Sequence, residues 1–111
     1  MSESVRVQKL QVLHEQEAGG DELYLIVEGH RVDVGGHLDT GETRYIGESF
    51  GVDYSGVVNV DLYENDAAPN PDDYIAGKDF TSSGHQLHDD FYKDFHDADT
   101  SAAYRVWFEF I

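Results

Sequence analysis

Oxygen-donor chemistry is concentrated in two stretches of this chain. Glu64-Asn65-Asp66 is followed, after a short gap, by Asp72-Asp73-Tyr74-Ile75-Ala76-Gly77. Side chains alternate along a strand, so Glu64 and Asp66 leave a strand end on the same side. A loop of this length can curl back and bring Asp72 or Asp73 to the same point. Upstream, Glu15 and Glu17 precede Gly19-Gly20-Asp21-Glu22, again between two strand candidates. Loops at the same end of a sandwich would gather these carboxylates. Such a cluster is costly unless a cation sits within it, because like charges raise each other's pKa or push the loops apart. Calcium takes about six to eight oxygens in flexible geometry, and a few converging carboxylates plus loop carbonyls supply them. The competing reading is a polar loop that water solvates.

Three other patterns carry weaker chemistry. Gly47-Glu48-Ser49-Phe50-Gly51 has the spacing of a hydrolase nucleophile turn. That turn needs a strand-to-helix elbow over a parallel sheet, and no helix is expected after Ser49; a glycine-flanked turn or bulge fits better. His85 and His88, with His96 further on, could hold zinc or copper if their segment were helical, since positions i and i+3 share a face. Among acidic neighbours they read more simply as solvated histidines with raised pKa. Asp79-Phe80-Thr81-Ser82-Ser83 resembles the calcium loop of βγ-crystallins, but Lys78 stands at its first acidic position and there is no second copy. No nucleophile, base and orienting group can be assembled, so an enzyme is not expected. No phosphate-cradling glycine loop or EF-hand loop can be aligned.

Composition narrows the partners. The 111 residues carry 23 Asp and Glu against 7 Lys and Arg, a net charge of −16. Nucleic acids and anionic headgroups should be repelled, because their binding rests on cations that neutralise phosphates. Either the acidic surface suits high salt or some carboxylates gather around bound cations. With 40% hydrophobic residues the chain can fill one core, and its length suits a single domain, residues 1–111. Without cysteines there can be no disulfide or thiolate site. Met1-Ser2-Glu3-Ser4 lacks the features of a signal peptide, and the longest apolar run, near Leu23 to Val27, is far too short to span a bilayer. The chain as given therefore reads as soluble, with no address in it.

The elements that would position the carboxylates are strands. Val5 to Leu13 is rich in β-branched residues and partly alternating, and Leu23 to Val27 is a short apolar run fit for a central strand. Gly29-His30 turns the chain into Arg31 to Val34. Thr43 to Ile46 and Val52 to Tyr54 read as separate, weaker strands, and Glu64 to Asp73 as a loop. Val58, Val60 and Leu62 share one face of Val57 to Tyr63, with Asn59 and Asp61 on the other. Tyr104, Val106, Phe108 and Phe110 likewise face one way. Leu87, Phe91, Phe95 and Ala98 recur at helical spacing, which allows a short helix near 86–98. Asp89, Asp90, Asp94, Asp97 and Asp99 in the same region are poor helix formers, and loop plus strand stands as an equal alternative. Many short strands between turn signals argue for an all-β fold, a single antiparallel β-sandwich of Greek-key type.

Two motifs give the sandwich a family likeness. Asp21-Glu22-Leu23-Tyr24-Leu25 resembles the Ser-Asp-Pro-Tyr-Val segment of the C2 domain, the calcium-binding β-sandwich of protein kinase C and synaptotagmin. Glu64-x-Asp66 with Asp72, then Asp73-Tyr74-Ile75-Ala76-Gly77, resembles that family's Asp-x-Asp followed by Asp-x-Ile-Gly. The segments are also similar to small bacterial proteins of this C2-like type. The resemblance implies calcium ligands at Glu15 and Asp21 in the first loop and at Glu64, Asp66 and Asp72 in the later one, with Glu17 and Asp73 as substitutes. Two of the five are Glu where the family has Asp, the Ser and Pro around Asp21 are missing, and Ala76 intervenes before Gly77. With neither a polybasic strand nor an aromatic loop tip, membrane docking is not expected. The function expected is a non-enzymatic module binding one or two calcium ions. The rival is a metal-independent structural or adaptor protein whose acidic surface is a salt adaptation or serves a basic partner or self-assembly.

Overall fold

The computed structural model describes residues 3–15, 21–52, 57–65, 73–81, 88–98 and 100–111. They form eight strands: β1 (Glu3–His14), β2 (Asp21–Val27), β3 (His30–Leu38), β4 (Thr43–Val52), β5 (Val57–Glu64), β6 (Asp73–Thr81), β7 (Asp90–His96) and β8 (Ala103–Phe110). Two four-stranded antiparallel sheets result. Sheet A has the order β4-β1-β8-β7 and sheet B the order β3-β2-β5-β6. β2–β3, β5–β6 and β7–β8 are hairpins, while the other connections pass between sheets in Greek-key fashion.

Period-two patterning drives this arrangement. On β5 the pattern holds through Val58, Val60 and Leu62, all fully buried, with Val57 and Asn59 outside. On β8, Tyr104, Val106, Phe108 and Phe110 are buried as their alternation requires. Each sheet hides one apolar face, and the two faces close on each other. Phe80 of sheet B ties the sheets together at one side, its ring 4.8 Å from Phe108 and 5.1 Å from Phe91 of sheet A.

The structure decides one alternative that the sequence leaves open and revises the reading of two strands. The short helix near 86–98 does not exist among the described residues; Asp90–His96 is the edge strand β7. Phe91 and Phe95 are four apart, a spacing that also fits two strand periods, and the pairing with β8 decides the case. Phe95 is buried, whereas Asp90 and His96 face out. Leu87 lies outside the described residues. Residues 43–52 are one strand rather than parts of two: Gly47, at φ +73°, lies within an irregularity where Val7 pairs with Glu48 and Lys9 with Tyr45. Residues 73–81 are the strand β6, which the sequence reading does not pick out. The pattern hides it because only Ile75 and Phe80 of its described side chains are buried and a register shift interrupts the period.

Gly35 is required where β3 bulges. Its φ is +114°, and the Nη1 atom of Arg44 occupies the space a Cβ would take. Arg44 reaches there from β4 to donate to the Val34 carbonyl at 3.2 Å. Gly35→Ala is expected to cost about 1–3 kcal/mol, since it imposes a strained backbone and evicts the guanidinium. A urea midpoint shift measures it.

On sheet A's outer surface Arg105 holds both Asp94 carboxylate oxygens, at 2.7 and 3.1 Å. The hydrogen bond from Arg105 keeps Asp94 below its ordinary pKa against an opposing push from burial. A depressed carboxylate stabilises the fold above its unfolded value, about pH 4, and loses that contribution as pH falls through the folded value. Asp94→Asn should therefore destabilise the protein at neutral pH and flatten its acid-side decline, which denaturant titrations across that range would show.

Candidate metal centre at the acidic end

One end of the sandwich carries the connections β1–β2, β3–β4, β5–β6 and β7–β8. The register fixes this. His14 and His96 both pair with Ala103, Asp21 pairs with Leu38, and Glu64 lies between Leu23 and Asp73. The β3–β4 turn is bonded to β1, with Gly41 N donating to the Val12 carbonyl at 2.7 Å and Glu15 N donating to Thr40 Oγ1 at 3.0 Å. The loops that the sequence singles out, after β1 and after β5, thus leave the same end.

Glu64 is the residue that distinguishes this end. It continues the inward phase of Val58, Val60 and Leu62, so strand alternation carries a carboxylate into the mouth of the core. It is 2% exposed and is the one buried charged residue among those described. The backbone there is held one rung further by Asn65 N donating to the Glu22 carbonyl at 2.8 Å. Taking a carboxylate out of water costs several kcal/mol unless something compensates it, and a cation is one such partner. Glu15, just beyond β1, also has a buried carboxyl oxygen; its Oε2 accepts no hydrogen bond from the described residues.

Asp21 and Asp73 open β2 and β6 at this end, and their backbones are in place. Their side chains, together with Asp66, Asp72 and Glu17, lie outside the described residues. Among the described residues no three His, Asp or Glu side chains come together as a metal site. The donor chemistry fits calcium, which prefers carboxylate and carbonyl oxygen.

Strand position is reinforced from outside sheet B. Tyr24, Tyr63 and Tyr74 are direct cross-strand neighbours on β2, β5 and β6. Tyr24 and Tyr63 stack at 5.2 Å, Tyr63 meets Tyr74 edge-on at 5.3 Å, and the Arg31 guanidinium covers Tyr24 at 3.8 Å. Tyr63 precedes Glu64 and Tyr74 follows Asp73, so this ladder fixes the two strands that present those acids. Tyr74 donates to Asp61 Oδ1 at 3.4 Å across Gly77, where a Cβ would meet both groups. Burial, and after it the Asp61 carboxylate, raises the Tyr74 pKa.

Sequence reading misses part of this end. It takes its site residues only from the loops after β1 and β5. Asp39 belongs to the β3–β4 turn and Asp97 to the β7–β8 turn, both at the acidic end. In the first turn the Glu42 carboxylate accepts from Asp39 N at 3.2 Å, which commits Glu42 to holding the turn, and the Asp39 side chain is exposed. The available signal is the turn sequence Asp39-Thr40-Gly41-Glu42 between two strands. Asp33, Asp61, Asp90 and Asp94 do lie elsewhere, paired with Arg31, Tyr74, Gln8 and Arg105.

The competing motifs lie on strands where the structure describes them. Ser49 sits inside β4, which continues as strand to Val52. Asp79, Phe80 and Thr81 are paired with β5 rather than looped, while Ser82 and Ser83 lie outside the described residues. His88 precedes β7 and His96 ends it, roughly 25 Å apart at strand rise, so they cannot share an ion. His85 lies outside the described residues.

No family model matches the chain, and no curated protein does. Solved structures do. A C2 domain of plant extended synaptotagmin 1 superposes with a TM-score of 0.68 at 10% identity, covering 98% of this chain and 92% of that one. A structure described as a C2 domain matches with a TM-score of 0.60 at 9% identity, covering 99% and 97%. Human GIVD cytosolic phospholipase A2, in complex with a fluorophosphonate inhibitor and terbium chloride, matches at TM-score 0.60 and 18% identity. The present chain spans only 17% of that enzyme's length. At these identities the likeness concerns architecture, and the sheet order agrees with it: the chain has the C2-like β-sandwich fold.

Proposed function

We propose that this chain is a non-enzymatic calcium-binding module whose acidic end coordinates one or two Ca2+ ions. Glu15, Asp21, Glu64, Asp66 and Asp72 are the proposed ligands, with Asp73 and Glu17 as substitutes. The observation that carries the reading is Glu64, a carboxylate 2% exposed at the end where the acidic loops leave the sandwich. Bound calcium would offset the carboxylate repulsion and tie together loops that belong to both sheets. The chain's own part is to present oxygen donors on strand ends held by the Tyr24–Tyr63–Tyr74 ladder.

The test is the thermal midpoint of the chelated protein with and without millimolar calcium, with magnesium and sodium chloride as controls. A ligand that binds only the folded state at a concentration of about 100 Kd adds about 2.7 kcal/mol. A rise with calcium alone is the expected result. An equal rise with sodium chloride would mean general screening and would favour the second reading, a metal-independent structural or adaptor module. That reading draws on the carboxylates spread beyond the end, Asp33, Asp61 and Asp90 among them.

A further inference from the structure

The outer face of sheet A differs in charge from the rest of this chain. Across its strands run Tyr45, Lys9, Trp107 and Tyr92, in register from β4 to β7. Lys9 Nζ lies 4.7 Å from the Trp107 ring centre and 5.7 Å from that of Tyr45, and Arg105 covers Tyr92 at 4.1 Å. Tyr45 is 76% exposed and Tyr92 50%. The charged side chains on this face are Arg6, Lys9 and Arg105 against Asp90, Asp94 and Glu109, so it is close to neutral. Three of the chain's 7 cations therefore sit with only three of its 23 acids. Tyr, Trp and Arg are also the residue types that protein interfaces favour.

We propose that this face is where two copies of the chain meet, sheet A against sheet A, about a twofold axis parallel to the strands and lying between β1 and β8. The charge pattern selects a second copy. A basic partner would be drawn to the acidic surfaces elsewhere, and an acidic partner gains little from a balanced face. Two copies at −16 each repel through every other surface. The face is also self-complementary under this axis. Arg6 and Lys9 lie on β1, in the rows of Glu109 and Trp107 on β8. The rotation places β1 over β8 of the second copy and β4 over its β7. Because Arg6 pairs with Glu109, and Lys9 with Trp107, across the seam within one chain, the same rows meet between copies. Arg6 then faces Glu109 of the second copy, Lys9 faces its Trp107, and Tyr45 faces its Tyr92. An open groove of about 410 Å³ beside Tyr45, lined by Arg6, Gln8, Lys9, Ile46 and Gly47, lies where that Tyr92 ring arrives. Four strands at about 4.8 Å spacing and roughly eight residues long bury on the order of 1,000 Å² over both copies, the lower limit for a specific interface.

Sedimentation equilibrium of the full chain in chelator, from about 10 µM to about 1 mM, tests this, since a small interface gives affinities in that range. Mass rising toward twice that of the chain, and rising further with salt as net repulsion is screened, is the expected result. Arg6→Glu should lower association at least tenfold, and the swap Arg6→Glu with Glu109→Arg should restore it. Arg31→Glu on sheet B makes the same charge change and should leave association unaltered. Thermal midpoints of each variant confirm folding. A monomer at every concentration and salt, a loss with Arg31→Glu equal to that with Arg6→Glu, or a swap that fails to rescue would overturn the proposal.

Discussion

Replacing Glu64 by glutamine is expected to remove most of the calcium-dependent rise in thermal midpoint while leaving the chelated protein folded. The two side chains have nearly the same shape, so the packing around residue 64 survives. What changes is the charge. Calcium draws its affinity from ionised oxygen donors, and an amide oxygen replaces a carboxylate at the most desolvated position of the end. A wild-type gain of about 2.7 kcal/mol corresponds to roughly 10 °C or more for a domain of this size. Losing one buried ligand should cut that to a few degrees. Asp66→Asn combined with Asp72→Asn should act in the same direction from the loop side. Differential scanning calorimetry with calcium and with chelator reads both. If the shift persists undiminished in Glu64→Gln, residue 64 is a buried acid held by the protein alone and the ligand set is wrong.

The architecture is legible in the sequence where burial is one-sided. β5 and β8 alternate cleanly because each covers a core on one face only, and their periodicity marks nearly their observed limits. Legibility fails at edges. β6 and β7 each have a neighbour on one side only. Their inward residues are fewer, and bulges and aspartates blur the period. The Phe91–Phe95 spacing is compatible with helix and strand alike, and only the long-range pairing with β8 resolves it. At the candidate site, sequence spacing names the acids after β1 and β5. It does not show that Glu64 points into the core rather than toward water, because that depends on the phase of β5 being carried unbroken to its last residue. Asp39 and Asp97 escape for a related reason. Which connections share an end follows from strand order, and strand order is a non-local property that neighbouring residues do not encode.

The steepest stability loss should come from Phe108→Ala, far from the acidic end. Phe108 is fully buried on β8, and its ring lies 4.8 Å from Phe80 and 5.7 Å from Phe91. Phe80 is the contribution of sheet B to this cluster, so deleting the Phe108 ring loosens a contact between the sheets as well as leaving a void. Truncations of this kind cost about 3–5 kcal/mol, a large fraction of the roughly 5–15 kcal/mol that holds a domain together. The midpoint should fall by well over about 10 °C. The cluster adjoins Phe80, which pairs with Val58, whereas Glu64 pairs with Asp73 at the other end of β5. About six residues of strand separate them by roughly 20 Å. Perturbations that far apart add. Calcium should therefore raise the midpoint of Phe108→Ala by the same free energy as in the wild type, and Glu64→Gln should cut that rise by the same amount in either background. A calcium effect that shrinks in Phe108→Ala would mean that the acidic end depends on how tightly the sheets are clamped at the far end. The fold would then be a coupled element of the site and more than its scaffold.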